Sequence, residues 1–205
     1  MNQTKISTKA YGAWEYRREE EELNRQSENG WQLERGGCFY SKFKKNCDEH
    51  FIYAIDYQPN IADKERYVES FEEQGWRYVN TTFNGWNYFK KKYRQDMEEE
   101  EKKIYTDKQS LNEMRNRYFR LLLVLIPCML FSGLPNLMIG LTQRRPANFL
   151  ISVANMGFAL VAGYECIAIY GEKIGSYKIP HIKMNLIAPF YFLLLVISMA
   201  LIFID

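Results

Sequence analysis

Apolar and polar positions divide the chain into two parts with different patterns. Up to residue 117, short stretches of alternating or helical periodicity are separated by turns, whereas three long apolar runs dominate the rest. The runs cover about residues 119–141, 148–171 and 184–205, and each is near the roughly 20 residues that a helix needs to cross a bilayer. The pattern therefore predicts a membrane domain, residues 119–205, with three transmembrane α-helices and the lipid bilayer as a partner.

The first apolar run contains Pro127 and Pro135, which lie on either side of Gly133. Each proline removes a backbone donor and can kink a helix. We favour a single kinked helix, and a broken helix that lines a binding cavity is the alternative.

Glu165 is the one acidic residue well inside an apolar run. Ionisable groups inside a membrane are costly to bury and are therefore candidates for function. Glu165 also lies near the end of its run that we place on the cytosolic side, where it could reach the interface or pair with a lysine. We retain it as a candidate intramembrane polar site, with these simpler roles as the alternative.

Flanking basic residues predict the orientation of the three helices. Six Lys/Arg lie between residues 102 and 120 and three lie between 173 and 183, but only Arg144 and Arg145 separate the first two runs. Lys and Arg are enriched in cytoplasmic loops. We therefore expect a multi-pass membrane protein, with its N-terminal part in the cytosol and its C-terminus outside.

A glycine–tryptophan pair occurs twice in the N-terminal part, at Gly30–Trp31 and Gly75–Trp76. Each pair follows a stretch of helical periodicity and precedes a stretch in which apolar and polar residues alternate. A glycine just past a helix readily adopts the left-handed conformation. We therefore predict that each glycine ends a helix and that each tryptophan begins a strand.

Strand and turn signals around the two pairs follow the same order. A turn, Gly36–Gly37 in the first case and Asn84–Gly85 in the second, leads to an aromatic strand that ends in lysines. A further strand candidate precedes each helix, at Ala10–Tyr16 and at His50–Tyr57. Residues 1–93 are therefore predicted to form an α+β cytosolic domain of two βαββ repeats, a duplicated antiparallel-sheet layout related to ferredoxin-like folds.

Residues 94–118 are rich in Glu, Lys and Arg, and we predict that they form a charged connecting helix. Glu98 and Glu99 precede Lys102 and Lys103 by four residues, a spacing that stabilises solvated helices.

Charge and cysteine patterns exclude several kinds of function. The first 117 residues carry 21 Lys/Arg and 22 Asp/Glu, so they lack the excess of positive charge that nucleic-acid binders use, and we expect no direct nucleic-acid binding. The four cysteines show no CxxC spacing. We expect free thiols rather than disulfides or a zinc site, and we predict no metal and no cofactor.

Catalytic motifs are not recognisable in the chain. The two histidines, His50 and His181, lie in different parts of it, and no HExxH, GxSxG, Walker or GxGxxG sequence is present. The acidic runs Glu19–Glu22 and Glu98–Glu101 are typical of solvated helix faces. We therefore expect no catalytic residues and no enzyme activity.

Aromatic residues are denser in residues 1–93 than a small core needs, and some of them could form a recognition surface. Trp86 directly follows a turn and is the best candidate for an exposed contact. The predicted partner-binding site consists of Trp86, Tyr88, Lys90 and Lys91. The lysines could also protect a sheet edge or contact anionic lipid.

The order of these elements resembles that of a bacterial membrane-protein family catalogued as domain of unknown function 2812. The resemblance covers about Tyr11–Tyr93 and rests on an acid-rich helix ending in NGW, an acid–tyrosine strand, and the sequence FEEQGWRYV followed by NGWNYFKKK. Membrane helices after the domain also fit the family. Its members often lie beside genes for PadR-like transcriptional repressors, so the resemblance implies a membrane-bound regulatory partner. It supplies no catalytic residues.

Three functions remain open from the sequence. We favour a non-enzymatic membrane regulator or sensor whose cytosolic domain binds a protein partner, such as a PadR-like repressor. A membrane transport or ligand-binding component would instead use Glu165 and the kinked first helix. The third function is that of a structural subunit in a membrane complex, and formation of a homo-oligomer is open in all three.

Overall fold

The computed structural model describes residues 3–174 and 180–202 of the chain. The chain forms two compact units, Met1–Arg117 and Tyr118–Asp205. The N-terminal unit contains the β-strands, and the C-terminal unit contains most of three long helices.

The first half of the N-terminal unit is a three-stranded antiparallel sheet with one long helix. Its elements in chain order are β1 (Thr4–Ser7), a 3-10 helix (Ala13–Glu15), α1 (Tyr16–Glu28), β2 (Trp31–Arg35) and β3 (Ser41–Lys45). Strand β3 lies in the middle of this first sheet and pairs with both β1 and β2.

The second half has the same topology. Its elements are β4 (Phe51–Tyr57), α2 (Lys64–Glu72), β5 (Arg77–Thr81) and β6 (Trp86–Lys92). Strand β6 lies in the middle of this second sheet, between β4 and β5, and all pairings are antiparallel. The predicted α+β fold, with βαββ order in each half, is confirmed.

Left-handed glycines follow both helices of the N-terminal unit, as predicted. Gly30 has a φ of 75° and Gly75 a φ of 82°, a region that glycine occupies without steric cost. The amide of each glycine donates a hydrogen bond of 2.8 Å to the carbonyl three residues before it. Strand β2 begins at Trp31, and Trp76 directly precedes β5. The repeated pair therefore marks the end of a helix and the approach to a strand.

The second sheet is the middle layer of the N-terminal unit. Strand β4 is buried along its whole length, and its alternate side chains point to opposite faces of the sheet. One face packs against α1 and the first sheet in a cluster of Leu23, Leu33, Phe43, Phe51, Tyr53, Ile55 and Tyr88. The opposite face carries a second cluster of Ile52, Ala54, Trp76, Phe89, Met97 and Ile104, with Tyr67 and Phe71 of α2 packed against it.

Helix α1 covers the free edge of β4 with polar side chains. Three acceptors on the helix bond three strand amides: Glu20 with Ile55 at 2.8 Å, Asn24 with Tyr53 at 2.7 Å, and Ser27 with Phe51 at 2.9 Å. Residues spaced four and three apart lie on one face of a helix, and every second amide of a strand lies on one edge. This edge ladder satisfies donors that would otherwise be available to another strand.

The predicted strand at Ala10–Tyr16 is wrong. The first strand is Thr4–Ser7, and Ala13–Glu15 form the 3-10 helix that leads into α1. The Glu15 carboxylate accepts a hydrogen bond of 3.1 Å from the amide of Gly12, which stabilises the start of this helical turn. Trp14 and Tyr16 are both buried, so these two aromatic residues belong to a helix start.

The predicted connecting helix over residues 94–118 is wrong in its first half. Residues 94–107 form neither helix nor strand, and α3 begins at Lys108. Glu99 and Lys102 form an exposed ion pair of 2.6 Å three residues apart, rather than the predicted pairing four residues apart. Met97 and Ile104 are buried in the second cluster, and this burial overrides the helix propensity of the charged run.

Three helices of the described residues are long and apolar enough to cross a membrane. They are α3 (Lys108–Thr142), α4 (Pro146–Ile174) and α5 (Met184–Ile202). This confirms the three predicted spans, although residues 203–205 of the third one lie outside the described residues. Helix α3 continues through Pro127 and Pro135, so the prediction of a single helix is confirmed and the alternative of a broken helix is wrong.

Candidate functional site

Two aromatic side chains at loop tips are the most exposed part of the N-terminal unit's apolar surface. Phe39 lies between β2 and β3, and Phe83 lies between β5 and β6. Their side chains are 74% and 84% exposed. The two rings stack on each other, with 6.3 Å between centroids and 17° between planes. We call Phe39 and Phe83 the aromatic pair.

The loops that carry the aromatic pair are tied together by hydrogen bonds. The side chain of Asn80 accepts from the amide of Gly36 and donates to its carbonyl, both at 2.8 Å. The Cys38 thiol donates to the side-chain oxygen of Asn84 at 3.0 Å. The same oxygen accepts from the Thr82 hydroxyl at 2.6 Å. These contacts fix the two tips relative to each other.

Of the two predicted aromatic contacts, Trp86 is only partly exposed and Tyr88 is buried. Trp86 is partly buried, with its ring 4.8 Å from that of Tyr57 and 6.4 Å from that of Tyr16. Tyr88 is buried in the first cluster, and its hydroxyl donates to the carboxylate of Glu19 at 2.7 Å. Tyr88, predicted as part of the partner-binding site, is therefore not accessible to a partner, because residues 86 and 88 share the inner face of β6.

Lys90 and Lys91 lie over aromatic rings of the second sheet. The Lys90 ammonium is 4.6 Å from the ring centroid of Phe51, and that of Lys91 is 5.6 Å from Trp76. Lys91 also donates to the carbonyl of Glu101 at 3.3 Å. Both lysines are partly buried, so these contacts stabilise the sheet surface.

The density of aromatic residues in the sequence does not single out Phe39 and Phe83, because most of the aromatic residues in this unit are buried or partly buried. A better signal is their position at the predicted turns, since Phe83 directly precedes Asn84–Gly85 and Phe39 follows Gly36–Gly37 by two residues. A side chain in such a turn has no sheet face on which to pack. Loops are also where binding residues concentrate.

Asp56, near the end of β4, is the centre of a buried polar cluster. It is only 1% exposed, and it accepts hydrogen bonds from three segments. The Tyr67 hydroxyl of α2 donates at 2.5 Å, Arg117 of α3 donates at 3.0 Å, and the Tyr105 hydroxyl also donates. Arg117 donates in addition to the carbonyl of Tyr57 at 2.7 Å. The buried Asp56 carboxylate thus has a cationic partner, Arg117, and accepts hydrogen bonds from two hydroxyl groups. A buried charge needs such partners.

The two tyrosines around Asp56 remain donors at any physiological pH. Burial raises the pKa of the Tyr67 hydroxyl far above its ordinary value, and the neighbouring Asp56 carboxylate adds to the effect. Burial and Asp56 raise the pKa of Tyr105 in the same way. The site is thus built to hold the Asp56 carboxylate, and no proton donor or acceptor of suitable pKa for catalysis lies among these tyrosines.

Two glutamates of α1 have carboxyl groups that titrate near neutral pH. Burial raises the pKa of Glu19 to about 7, opposed by the hydrogen bond from Tyr88. Burial raises the pKa of Glu20 to about 8, opposed by the hydrogen bond from the Ile55 amide. Both side chains are partly exposed, but their carboxyl ends are bonded to the second sheet. The prediction that the run Glu19–Glu22 forms a solvated helix face is therefore wrong for Glu19 and Glu20.

Glu165, the predicted intramembrane polar residue, is fully buried in the C-terminal unit. Its carboxylate lies 2.6 Å from Nδ1 of His181 and accepts a hydrogen bond of 2.6 Å from the amide of Ile182. The neighbouring Tyr164 donates to the carbonyl of Pro180 at 2.8 Å. The side-chain partner of Glu165 is thus a histidine, and the alternative of a lysine partner is wrong.

Polar side chains also connect the membrane-spanning helices. Asn155 of α4 donates to the Ser132 hydroxyl of α3 at 3.0 Å, and Asn148 donates to Asn136 at 2.7 Å. Such contacts between helices stabilise packing in a bilayer.

Among the residues that the structure describes, no group of three or more His, Cys, Asp or Glu side chains could hold a metal ion.

Comparison with known proteins places the chain in a family. A family model described as "Protein of unknown function (DUF2812)" matches residues 15–126, more than half of the chain. The match extends from the start of α1 through strands β2 to β6, residues 94–107 and the first part of α3, and leaves out β1. It thus confirms the resemblance drawn from the sequence and reaches further toward the membrane helices. Searches of curated proteins and of solved structures gave no match. The chain belongs to the DUF2812 family of proteins of unknown function.

Proposed function

We propose that the protein is a non-enzymatic, membrane-anchored regulator or sensor whose N-terminal unit lies in the cytosol and binds a protein partner. The aromatic pair carries this proposal. Rings that are 74% and 84% exposed contribute little to the core, and their contact with water is unfavourable. Exposed aromatic groups are typical of the contacts that dominate protein interfaces.

The bonding of the two loops supports the same function. Because Asn80 ties the loop of Phe83 to Gly36 near Phe39, the aromatic pair is held in place before a partner arrives. Binding to a preorganised surface loses less conformational entropy than binding to mobile loops.

A PadR-like transcriptional repressor is the partner that we propose. The choice rests on the family resemblance, since genes for such repressors often lie beside those of family members. The near-neutral charge of residues 1–117 suits a unit that binds a protein rather than DNA. In this account, the membrane helices anchor the unit and the partner is held at the membrane.

Site-specific photo-crosslinking tests the proposal in the bacterial membrane. A photoreactive phenylalanine analogue replaces Phe83 in the full-length chain, and the same analogue replaces Glu28, an exposed residue at the end of α1, as the control. We expect one cross-linked protein from position 83 and none from position 28. Cross-links to lipid alone, or the same products from both positions, would contradict the proposal.

Affinity for a purified repressor gives the quantitative test. Replacing both rings, by Phe39→Ser and Phe83→Ser, should weaken binding about 30-fold or more, because aromatic hot spots contribute roughly 2 kcal/mol or more. Because both rings are exposed, the variant should stay folded, which its circular dichroism will verify. Undiminished binding by a folded variant would rule out this surface.

A second candidate function is transport or ligand binding by the membrane unit. Glu165 favours it, because a fully buried carboxylate held by His181 and the Ile182 amide is costly within a membrane segment. In a strain with a measurable loss-of-gene phenotype, this function predicts that Glu165→Gln abolishes complementation and that deletion of residues 1–93 does not. The regulator function predicts the reverse.

A further inference from the structure

Residues 94–107 cross the second face of the second sheet without forming helix or strand. We call this segment the strap. Two of its side chains, Met97 and Ile104, are buried, while most of the others are exposed. The two buried residues belong to the second cluster, which also contains Trp76 and Phe89. The strap therefore covers an apolar face of the sheet through a small number of contacts.

Polar contacts fasten the strap at its C-terminal end. The Tyr105 hydroxyl donates to Asp56, and Arg117 donates to the same carboxylate and to the Tyr105 hydroxyl, the latter at 3.3 Å. Tyr105 is thus the residue of the strap that shares Asp56 with the start of α3.

Contacts near the N-terminal end of the strap are exposed and weaker. Arg94 pairs with Glu101 at 3.0 Å and with Asp96 at 3.6 Å, with all three side chains at least 40% exposed. Exposed ion pairs contribute little to stability. Lys91 of β6 adds one hydrogen bond to the carbonyl of Glu101.

The strap and the strands beneath it differ in how their backbones are hydrogen-bonded. Strand β4 is bonded along one edge to β6 and along the other to the edge ladder of α1. The strap has no such backbone ladder. Its attachment depends on Met97, Ile104 and the Tyr105 ring, on the Asp56 contacts and on the hydrogen bond from Lys91. Segments with few buried contacts open locally at a lower free energy than the sheets that they cover.

We propose that the strap is a releasable cover, fastened by Tyr105 and Arg117 to Asp56, that opens without unfolding either βαββ half. The N-terminal unit then has two states. In the closed state, Arg117 is bonded to the end of β4 and the strap covers Trp76. In the open state, the apolar face around Trp76 is uncovered, and the start of α3 has lost the Tyr105 contact. Opening of the strap therefore changes the contacts of the start of α3, the first of the three long apolar helices.

Reactivity of two introduced thiols tests this device in the full-length protein in detergent. Met97→Cys places a thiol under the strap, and Leu33→Cys places one in the first cluster, where residue 33 is 2% exposed. Labelling of each peptide is followed by mass spectrometry, which separates these thiols from the native ones. We expect Met97→Cys to react faster than Leu33→Cys, because it needs only the strap to open.

Tyr105→Phe then removes the strap's bond to Asp56 and keeps the ring. It should raise the labelling rate of Met97→Cys about tenfold, the effect of roughly one hydrogen bond to a charged group, and leave that of Leu33→Cys unchanged. Tyr67→Phe, the matched control, removes the bond between α2 and Asp56 and should leave the rate at Met97→Cys unchanged.

Equal labelling rates at both thiols in every background would overturn the proposal, since they would report only global unfolding. An equal acceleration by Tyr67→Phe and Tyr105→Phe would overturn it as well. The experiment needs no partner, so its outcome is independent of whether the aromatic pair binds a protein.

Discussion

The guanidinium of Arg117 on α3 donates a hydrogen bond of 3.0 Å to the buried carboxylate of Asp56 on β4, 61 positions earlier in the chain. Arg117 is the last residue of the N-terminal unit. It also donates to the carbonyl of Tyr57, so the first part of α3 is attached to two consecutive residues of β4. The family match includes both ends of this contact.

Arg117→Ala should destabilise the N-terminal unit by about 3–5 kcal/mol, because Asp56 would remain buried without its cation. Urea denaturation followed by tryptophan fluorescence measures this directly, since all four tryptophans lie between residues 14 and 86. Arg120→Ala, which removes an exposed arginine three residues later, is the control and should change little. Equal midpoints for the two variants would mean that the Asp56 contact adds no stability.

The edge ladder predicts a local effect of Asn24→Ala. The amide of Tyr53 would lose its acceptor inside the unit, at a cost of roughly 1–3 kcal/mol. Glu21→Ala, on the exposed side of the same helix, should stay within about 0.5 kcal/mol of the wild type. Hydrogen exchange at the Tyr53 amide should accelerate only in the first variant, and slow exchange in both would exclude the ladder as a source of protection.

The stability of the N-terminal unit should fall as pH rises through the range from about 5 to about 8. Burial raises the pKa values of Glu19 and Glu20 to about 7 and about 8 in the folded state. The folded unit therefore binds more protons than the unfolded chain at these pH values, and deprotonation favours unfolding. The loss should be on the order of 1–3 kcal/mol.

The double variant Glu19→Gln and Glu20→Gln removes both titrating groups and should flatten this part of the pH profile. Urea midpoints measured at several pH values compare the two proteins. A wild-type profile that rises with pH over the same range would show that the two carboxyl groups are ionised in the folded unit.

Alanine should be tolerated differently at the two helix-ending glycines. Both need a positive φ, which costs roughly 1–2 kcal/mol for alanine. At Gly75 the new Cβ would lie 3.3 Å from the flexible end of Lys91, but at Gly30 it would lie 2.7 Å from the Cys47 sulfur. Gly30→Ala should therefore lower the urea midpoint more than Gly75→Ala, and Gly75→Asn should be milder than either. A reversed order would argue against the packing around Cys47.

Local signals were sufficient for much of the fold. The glycine at the end of each helix, the alternation after each tryptophan and the length of the apolar runs are all properties of neighbouring residues. Asp63 is another example, since its side chain caps α2 by accepting from the amide of Arg66 at 3.0 Å. These features depend on backbone geometry that the sequence specifies directly.

Contacts between distant residues determine what the sequence did not reveal. The strap contains a strong helix-forming run, but Met97, Ile104 and Tyr105 obtain their partners on β4 and β6 only in the folded unit. The aromatic pair arises in the same way, because its two loops meet through Asn80 and Gly36, 44 residues apart. No periodicity within either loop predicts that meeting.

Native mass spectrometry of the full-length protein, released from bacterial membranes in mild detergent, tests the partner-binding function most directly. The wild-type chain should retain one soluble protein as a defined complex, and the variant with Phe39→Ser and Phe83→Ser should appear without it. The same assembly for both proteins, or a wild-type chain that retains only lipid, would contradict the account.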